Sequence, residues 1–324
     1  MKNEQIIFNN LIENLNGELR RILSNIPVDY QGKIEEIRLR RGRPLMISYD
    51  GKDYLVSKGG EISSDMTKAF ILADNHIQSS FQIISNYSPY AYLEEISRGY
   101  ITIRGGHRVG IGGRVIYGNR GIENIGNISS LNIRIAREVL GVSNKLIPHL
   151  IDRTGYFINT LIISPPQCGK TTLLRDIIRN LSDGHYHKQG YKISVIDERS
   201  ELAGMYNGLA QNQIGIRTDV LDACLKSDGI IMAIRSLSPD IIAVDEIGGE
   251  RDIDAINEAL RAGIRLIATI HGDDLREVRG KPSMRALFQD KIFGRYIILD
   301  RSKGVGSIRD ILDGSGNSIG FKEV

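Results

Sequence analysis

Apolar positions follow two different rhythms along the chain. Ile7, Leu11, Leu15, Leu19, Ile22, Leu23 and Ile26 recur at spacings of three and four, so residues 3–25 are expected to form an amphipathic helix that Pro27 stops. From residue 34 the period shortens. Ile37 and Leu39, then Leu45 and Ile47, alternate with polar neighbours, and Gly42 and Asp50-Gly51 supply the turns of a strand and hairpin. Helices are expected near 65–85 and 89–97, the second closed by Gly99. YITIRGGHRVGIGGRVIYGNRG and LNIRIARE then read as glycine-broken strands, so the first half is expected to be α+β around an antiparallel sheet.

The second half is patterned differently. YFINTLIIS (156–164), YKISVID (191–197), DIIAVDE (240–246) and IRLIATIH (264–271) are short, nearly continuous apolar runs, separated by helical patterns near 170–181, 222–236 and 252–262. Parallel strands buried on both faces are written this way. GRYIILD and SIRDIL add closing strands. The change of pattern divides the chain into an N-terminal domain, 1–148, and a C-terminal domain, 149–324.

Composition narrows the class. Apolar residues make up 41% and charged residues 25%, which excludes a disordered or fibrous chain. No apolar run approaches the length of a membrane span, and acids and amides interrupt the first apolar positions, so neither a span nor a signal peptide is expected. The two cysteines, Cys168 and Cys224, lack metal-site spacing, and a reducing cytoplasm is the simplest expectation. Net charge is only +3. Its distribution is uneven: between Glu95 and Glu123 there is no acid, while Arg98, Arg104, Arg108, Arg114, Arg120 and His107 fall there. Those arginines could form a nucleic-acid surface or simply solvate a sheet face.

The strongest chemical signal is SPPQCGKT at 164–171, which follows a strand and opens a helix. Ser164, Pro165, Pro166, Gln167, Cys168, Gly169, Lys170, Thr171 and Thr172 form a loop whose backbone N–H groups, with the helix N-terminus, would wrap phosphates, and Ser164 stands where the motif has its first glycine. Lys170 would reach the β and γ oxygens, and the Thr171 hydroxyl would ligate Mg²⁺. DIIAVDE ends a strand in Asp245 and Glu246, which suits one carboxylate beside the Mg²⁺ water shell and one that polarises the attacking water. His271 ends another strand, at the edge where open α/β sheets bind ligands. Asp197 and Glu198 end a third, as nucleotide-site acids or as a solvated strand-to-loop cluster.

Taken in order, SPPQCGKTT, VIDERSE, SPDIIAVDEIGGERD and ATIHG resemble the phosphate loop, acidic box, Walker B strand and His box of the type II and type IV secretion ATPases. IEEIRLRRGRPLMISYDGK and the arginine-bearing strands from 104 resemble that family's N-terminal domain, so the likeness covers almost the whole chain. Asp245 stands where those ATPases commonly carry glycine, and the four-cysteine zinc element of the type II branch is absent. Within the family, PPQCGKTTLLRD, DERSELA and RSLSPDIIAVDEIGG resemble a sporulation branch nearly verbatim.

The resemblance implies a RecA-like P-loop ATPase domain with a mostly parallel sheet, preceded by a smaller α+β domain. It implies ATP and Mg²⁺ as ligands and a homo-oligomeric, hexameric ring. It further implies hydrolysis that drives or assembles a membrane channel during endospore formation, through an integral-membrane partner that would hold the protein at the membrane. Lys170, Glu246 and His271 would be catalytic, with Arg108 or Arg114 acting in trans. The rivals are a nucleic-acid-dependent RecA-like ATPase, which the absence of an RNA-binding motif or basic tail counts against, and a nucleotide-stabilised scaffold without turnover, which Glu246 counts against.

Overall fold

The computed structural model describes residues 2–119, 121–184, 189–302 and 306–321. It divides into two compact units: Met1–Arg137 with Gly204–Gln211, and Glu138–Ala203 with Asn212–Val324. The first unit therefore stops short of residue 148, the end expected from the sequence, and takes in a later excursion. That excursion is tied to the first unit by Gln211, whose Oε1 accepts the Gly105 N–H at 2.9 Å.

In the first unit the expected single N-terminal helix is two, α1 (Lys2–Ile12) and α2 (Gly17–Ser24). Asn16 interrupts them because its side chain caps α2, accepting the Glu18 N–H at 2.9 Å, while its own N–H and amide donate to Ser80 and Ser79. The apolar stripe survives the break: Leu11, Leu15, Leu19, Ile22, Leu23 and Ile26 are all buried. After α3 (Val28–Gln31), strands β1 (Glu36–Arg40), β2 (Met46–Tyr49), β3 (Lys52–Val56) and β4 (Ile62–Ser63) are followed by α4 (Asp74–Ile84) and α5 (Leu93–Ser97). Strands β5 (Tyr100–Ile103), β6 (His107–Gly118) and β7 (Gly121–Arg134) complete an antiparallel sheet in the order β4-β3-β2-β1-β7-β6-β5. Leu19, Ile37, Ile47, Ile101 and Ile133 lie in one core cluster between helices and sheet. Each such side chain stabilises the fold by about 1.5–3 kcal/mol relative to exposure.

The second unit holds β8 (Thr160–Ser164), α6 (Lys170–Asp183), β9 (Ile193–Asp197), β10 (Thr218–Asp222), α7 (Lys226–Ser236) and β11 (Ile241–Val244). Then come α8 (Glu250–Arg261), β12 (Arg265–His271), α9 (Leu275–Gly280), α10 (Arg285–Gln289), β13 (Arg295–Asp300) and β14 (Ser307–Asp313). Their sheet runs β10-β9-β11-β12-β8-β13-β14, parallel except for the last pair. β8, β9 and β11 are buried at every position, which explains their unbroken apolar runs. The edge strand β10 escapes the sequence pattern because Thr218, Asp219 and Asp222 keep it polar where only one neighbour pairs with it. Among the described residues, no helix is long and apolar enough to cross a membrane.

Candidate nucleotide site

Parallel strands bring their carboxyl ends to one edge, and the register aligns them. His271 lies level with Ser164, while Val244 pairs with Ala268 on one side and Ile196 on the other. The polar residues that follow each apolar run therefore emerge together, where an open α/β sheet offers its crevice.

Between β8 and α6 the chain makes a tight loop. Gln167 (φ +57°) and Gly169 (φ +81°) are left-handed, a turn that gathers successive N–H groups toward one point. The N–H groups of Gln167 through Thr171 donate to no protein acceptor among the described residues. Pro165 and Pro166 have no N–H to give and contribute shape alone. Ser164 is buried, with its hydroxyl turned onto the Pro165 carbonyl at 2.8 Å, and Cys168 is 2% exposed with its thiol 3.6 Å from the Pro166 carbonyl. Thr172 lies in the first turn of α6, partly exposed.

An ammonium, a guanidinium and an imidazole meet one carboxylate behind this loop. Glu246 Oε2 is 3.6 Å from Lys170 Nζ and 3.2 Å from Arg199 Nη1, and Oε1 is 3.1 Å from His271 Nε2. Burial raises the Glu246 carboxyl, but Lys170, Arg199 and His271 together outweigh it and hold the group below its ordinary value. His271 Nε2 also lies 3.1 Å from Lys170 Nζ. An ammonium only donates and a carboxylate only accepts, so one protonation form of Nε2 satisfies one of these neighbours at a time. Nδ1 is buried without a hydrogen-bond partner among the described residues.

Glu246 is itself left-handed, φ +60°, a conformation that costs a non-glycine residue about 1–2 kcal/mol. Thr269 holds it there, accepting the Glu246 N–H on Oγ1 at 2.8 Å and the Ile247 N–H on its carbonyl at 2.9 Å. The Thr269 hydroxyl donates to Asp245 Oδ1, and the Thr171 hydroxyl donates to Asp245 Oδ2 at 2.8 Å. Thr171 and Asp245 thus form a pair of hard oxygen donors at the N-terminus of α6, a donor set that suits Mg²⁺.

The acids of the third strand end line the same small cleft as Arg199, Asp245 and Glu246, but their own bonds go to neighbouring groups. Asp197 is 2% exposed, and its carboxylate accepts the N–H groups of Glu201 (2.9 Å), Leu202 (3.0 Å) and Ala203 (2.9 Å). Burial pushes it up to about 6 against the pull of those donors. Glu198 pairs with Lys226. Neither is a partner of Lys170 or Glu246; they shape the loop that carries Arg199.

Sequence reasoning passed over three residues here. Arg199 and Thr269 lie inside VIDERSE and ATIHG, where acids and histidine drew the attention. Arg301 left no local signal: it donates to the Pro166 carbonyl at 3.0 Å and the Gln167 carbonyl at 3.2 Å from 135 and 134 residues away. The pairing of β13 with β8 makes that contact.

The expected arginines belong to the first unit. Arg108 stacks over the Tyr100 ring, 3.6 Å from its centroid, and Arg114 is exposed on β6 just past a bulge. Arg98 is paired with Glu94 at 2.7 Å, and Arg120 lies outside the described residues.

Comparison with known proteins agrees with this architecture. The family described as sporulation stage III, protein AA matches residues 2–319. Stage III sporulation protein AA of Bacillus subtilis is 43% identical over 309 residues, covering 95% of this chain and 96% of its own length. Protein SEEDLING PLASTID DEVELOPMENT 1 of Arabidopsis thaliana is 32% identical, over 52% of this chain and 23% of that protein. Among solved structures, the Legionella pneumophila ATPase DotB superposes with a TM-score of 0.53 at 15% identity, covering 82% of this chain and 71% of that one. The pilus retraction motor PilT with bound ADP gives 0.52 at 16%, covering 82% and 73%. At such identities the likeness is one of fold, the RecA-like P-loop fold of secretion ATPases.

Proposed function

We propose that this chain, which belongs to the sporulation stage III protein AA family, is an Mg²⁺-dependent ATPase working at the edge formed by the ends of β8, β11 and β12. The observation that carries the reading is the convergence of Lys170, Glu246 and the Thr171–Asp245 pair behind a loop whose N–H groups have no protein acceptor among the described residues.

The loop N–H groups and Lys170 would bind the β- and γ-phosphate oxygens, with Lys170 exchanging part of its contact with Glu246 for the phosphate. Thr171 would ligate Mg²⁺ directly and Asp245 through water. Bound there, the ion would neutralise charge on the β and γ oxygens. Glu246, kept ionised by its cationic neighbours, would accept a hydrogen bond from the attacking water. The water oxygen bonds to the γ-phosphorus as the bond to the β–γ bridging oxygen breaks. The electron pair leaves with ADP, and the water proton passes to the released phosphate or to solvent. His271, whose Nε2 touches both Lys170 and Glu246, would link phosphate position to water position.

The relative named a stage III sporulation protein supports endospore formation as the setting for this turnover, and the resemblance to secretion ATPases implies a homo-oligomeric, hexameric ring held at a membrane by an integral-membrane channel partner. Purified protein with Mg²⁺ is expected to release phosphate from ATP without stimulation by single-stranded DNA, and to run above monomer mass. Absence of turnover would return the scaffold reading, and strong stimulation by DNA the nucleic-acid reading.

A further inference from the structure

We propose that Arg199 is a catalytic arginine acting in cis, contacting the γ-phosphoryl group of ATP bound to its own chain; the inference rests on the ATPase reading above. Its Nη1 and Lys170 Nζ share one oxygen, Glu246 Oε2, at 3.2 and 3.6 Å. A guanidinium and an ammonium converging on a single anionic oxygen can converge equally on a phosphoryl oxygen. The planar fork lets Arg199 keep Glu246 on one N–H while offering others to phosphate. The side chain is 58% exposed, which leaves room for a ligand to approach.

The loop is built to hold this arginine still. Asp197 takes three N–H groups from Glu201, Leu202 and Ala203. Ser200, left-handed at φ +54°, donates its hydroxyl to Asp222 at 2.6 Å. Arg175 of α6 donates to the Glu201 and Leu202 carbonyls at 2.6 and 2.7 Å, and Glu198 is pinned by Lys226. Residues on both sides of Arg199 are thus anchored to the second unit while its head points at the catalytic carboxylate. Such bracing is what preorganised charge stabilisation requires, because the donor must not relax when transition-state charge develops. Asp197 then acts through Arg199, as a positioning residue rather than a phosphate ligand.

The test uses the full chain with Mg²⁺. Arg199→Ala should bind ADP within about threefold of the parent, lose about a hundredfold or more in kcat, and fail to tighten on ADP when aluminium fluoride, a mimic of the transferring phosphoryl group, is added. Arg199→Lys should fall between the two, and added guanidinium should partly rescue the Ala variant. Mixing Arg199→Ala with Lys170→Ala protein should restore nothing, since neither chain then holds a complete cis site. Parent-like turnover and parent-like tightening in Arg199→Ala would overturn the inference and leave the ATPase reading intact. Restoration on mixing would overturn the cis assignment, and joint loss of fold and ADP binding in the Ala and Lys variants would make Arg199 scaffold. A parent protein that binds ADP yet neither hydrolyses ATP nor responds to aluminium fluoride would overturn both readings.

Discussion

Thr269 sets the backbone of Glu246: its hydroxyl oxygen accepts the Glu246 N–H at 2.8 Å while its proton goes to Asp245. One side chain thereby joins the carboxylate proposed for the metal to the carboxylate proposed for the water, and offsets the strain of a left-handed glutamate. Thr269→Val keeps the shape and removes both bonds, leaving the Glu246 N–H without its acceptor. It should cost about 1–3 kcal/mol in urea unfolding and lower ATP turnover more than ADP affinity. Thr269→Ser, which keeps the hydroxyl, should recover most of both. Parent-like turnover in the Val variant would mean that the Ile247 bond alone holds the turn.

Lys170 and Glu246 should separate binding from hydrolysis, because on the proposed reading the first would meet ground-state phosphates and the second the attacking water. Lys170→Ala should weaken nucleotide binding measured by fluorescence titration. Glu246→Gln removes the charge that Lys170, Arg199 and His271 surround, so nucleotide should bind at least as tightly while turnover is lost. A Gln variant that hydrolyses at the parent rate would exclude Glu246 as the water-positioning group.

His107 predicts a pH dependence of stability. It is 2% exposed, its Nδ1 accepts the Ala136 N–H at 3.0 Å, and burial lowers its pKa to about 4. The folded state thus disfavours the charged ring, so this contribution is fully present above the unfolded value of about 6.5 and is lost as pH falls from there through about 4. The loss attributable to His107 should approach about 3 kcal/mol at the acid end. His107→Asn, which can still accept the Ala136 N–H, should show a flatter profile between pH 6.5 and 4 when both proteins are unfolded in urea. Parallel profiles would remove His107 as the source.

The trans reading of Arg108 and Arg114 is tested by complementation. Arg114→Ala should bind ATP normally and hydrolyse it slowly, and mixing it with Lys170→Ala protein should restore part of the turnover at mixed interfaces. Arg108→Ala tests the same role from a guanidinium stacked on Tyr100. Turnover per chain should rise with protein concentration as native mass passes from monomer to ring. If mixing restores nothing and turnover is independent of concentration, neither a trans arginine nor an obligate ring is needed, and Arg199 is left as the arginine of the site.

What the sequence alone determined is what lies along the chain: apolar runs of the right length, the glycine-lysine turn after the first, and acids or histidine where the others end. Strands buried on both faces must read as continuous apolar segments, and their polar ends must reach the carboxyl edge, so the placement of the Gly169-Lys170 turn, Asp245, Glu246 and His271 at that edge was legible from local pattern. Asp197 and Asp245 show where that legibility stops. Both are acids directly after a buried parallel strand, yet one meets the Thr171 hydroxyl and the other spends its oxygens on the N–H groups of its own loop. Arg199 on Glu246, Thr269 between the two acids, and Arg301 on the loop carbonyls were likewise decided only by tertiary structure. The reason is physical. Burial periodicity records how each residue faces the core, whereas a polar side chain's partner is chosen through space by strand order and register, which no local stretch of sequence contains.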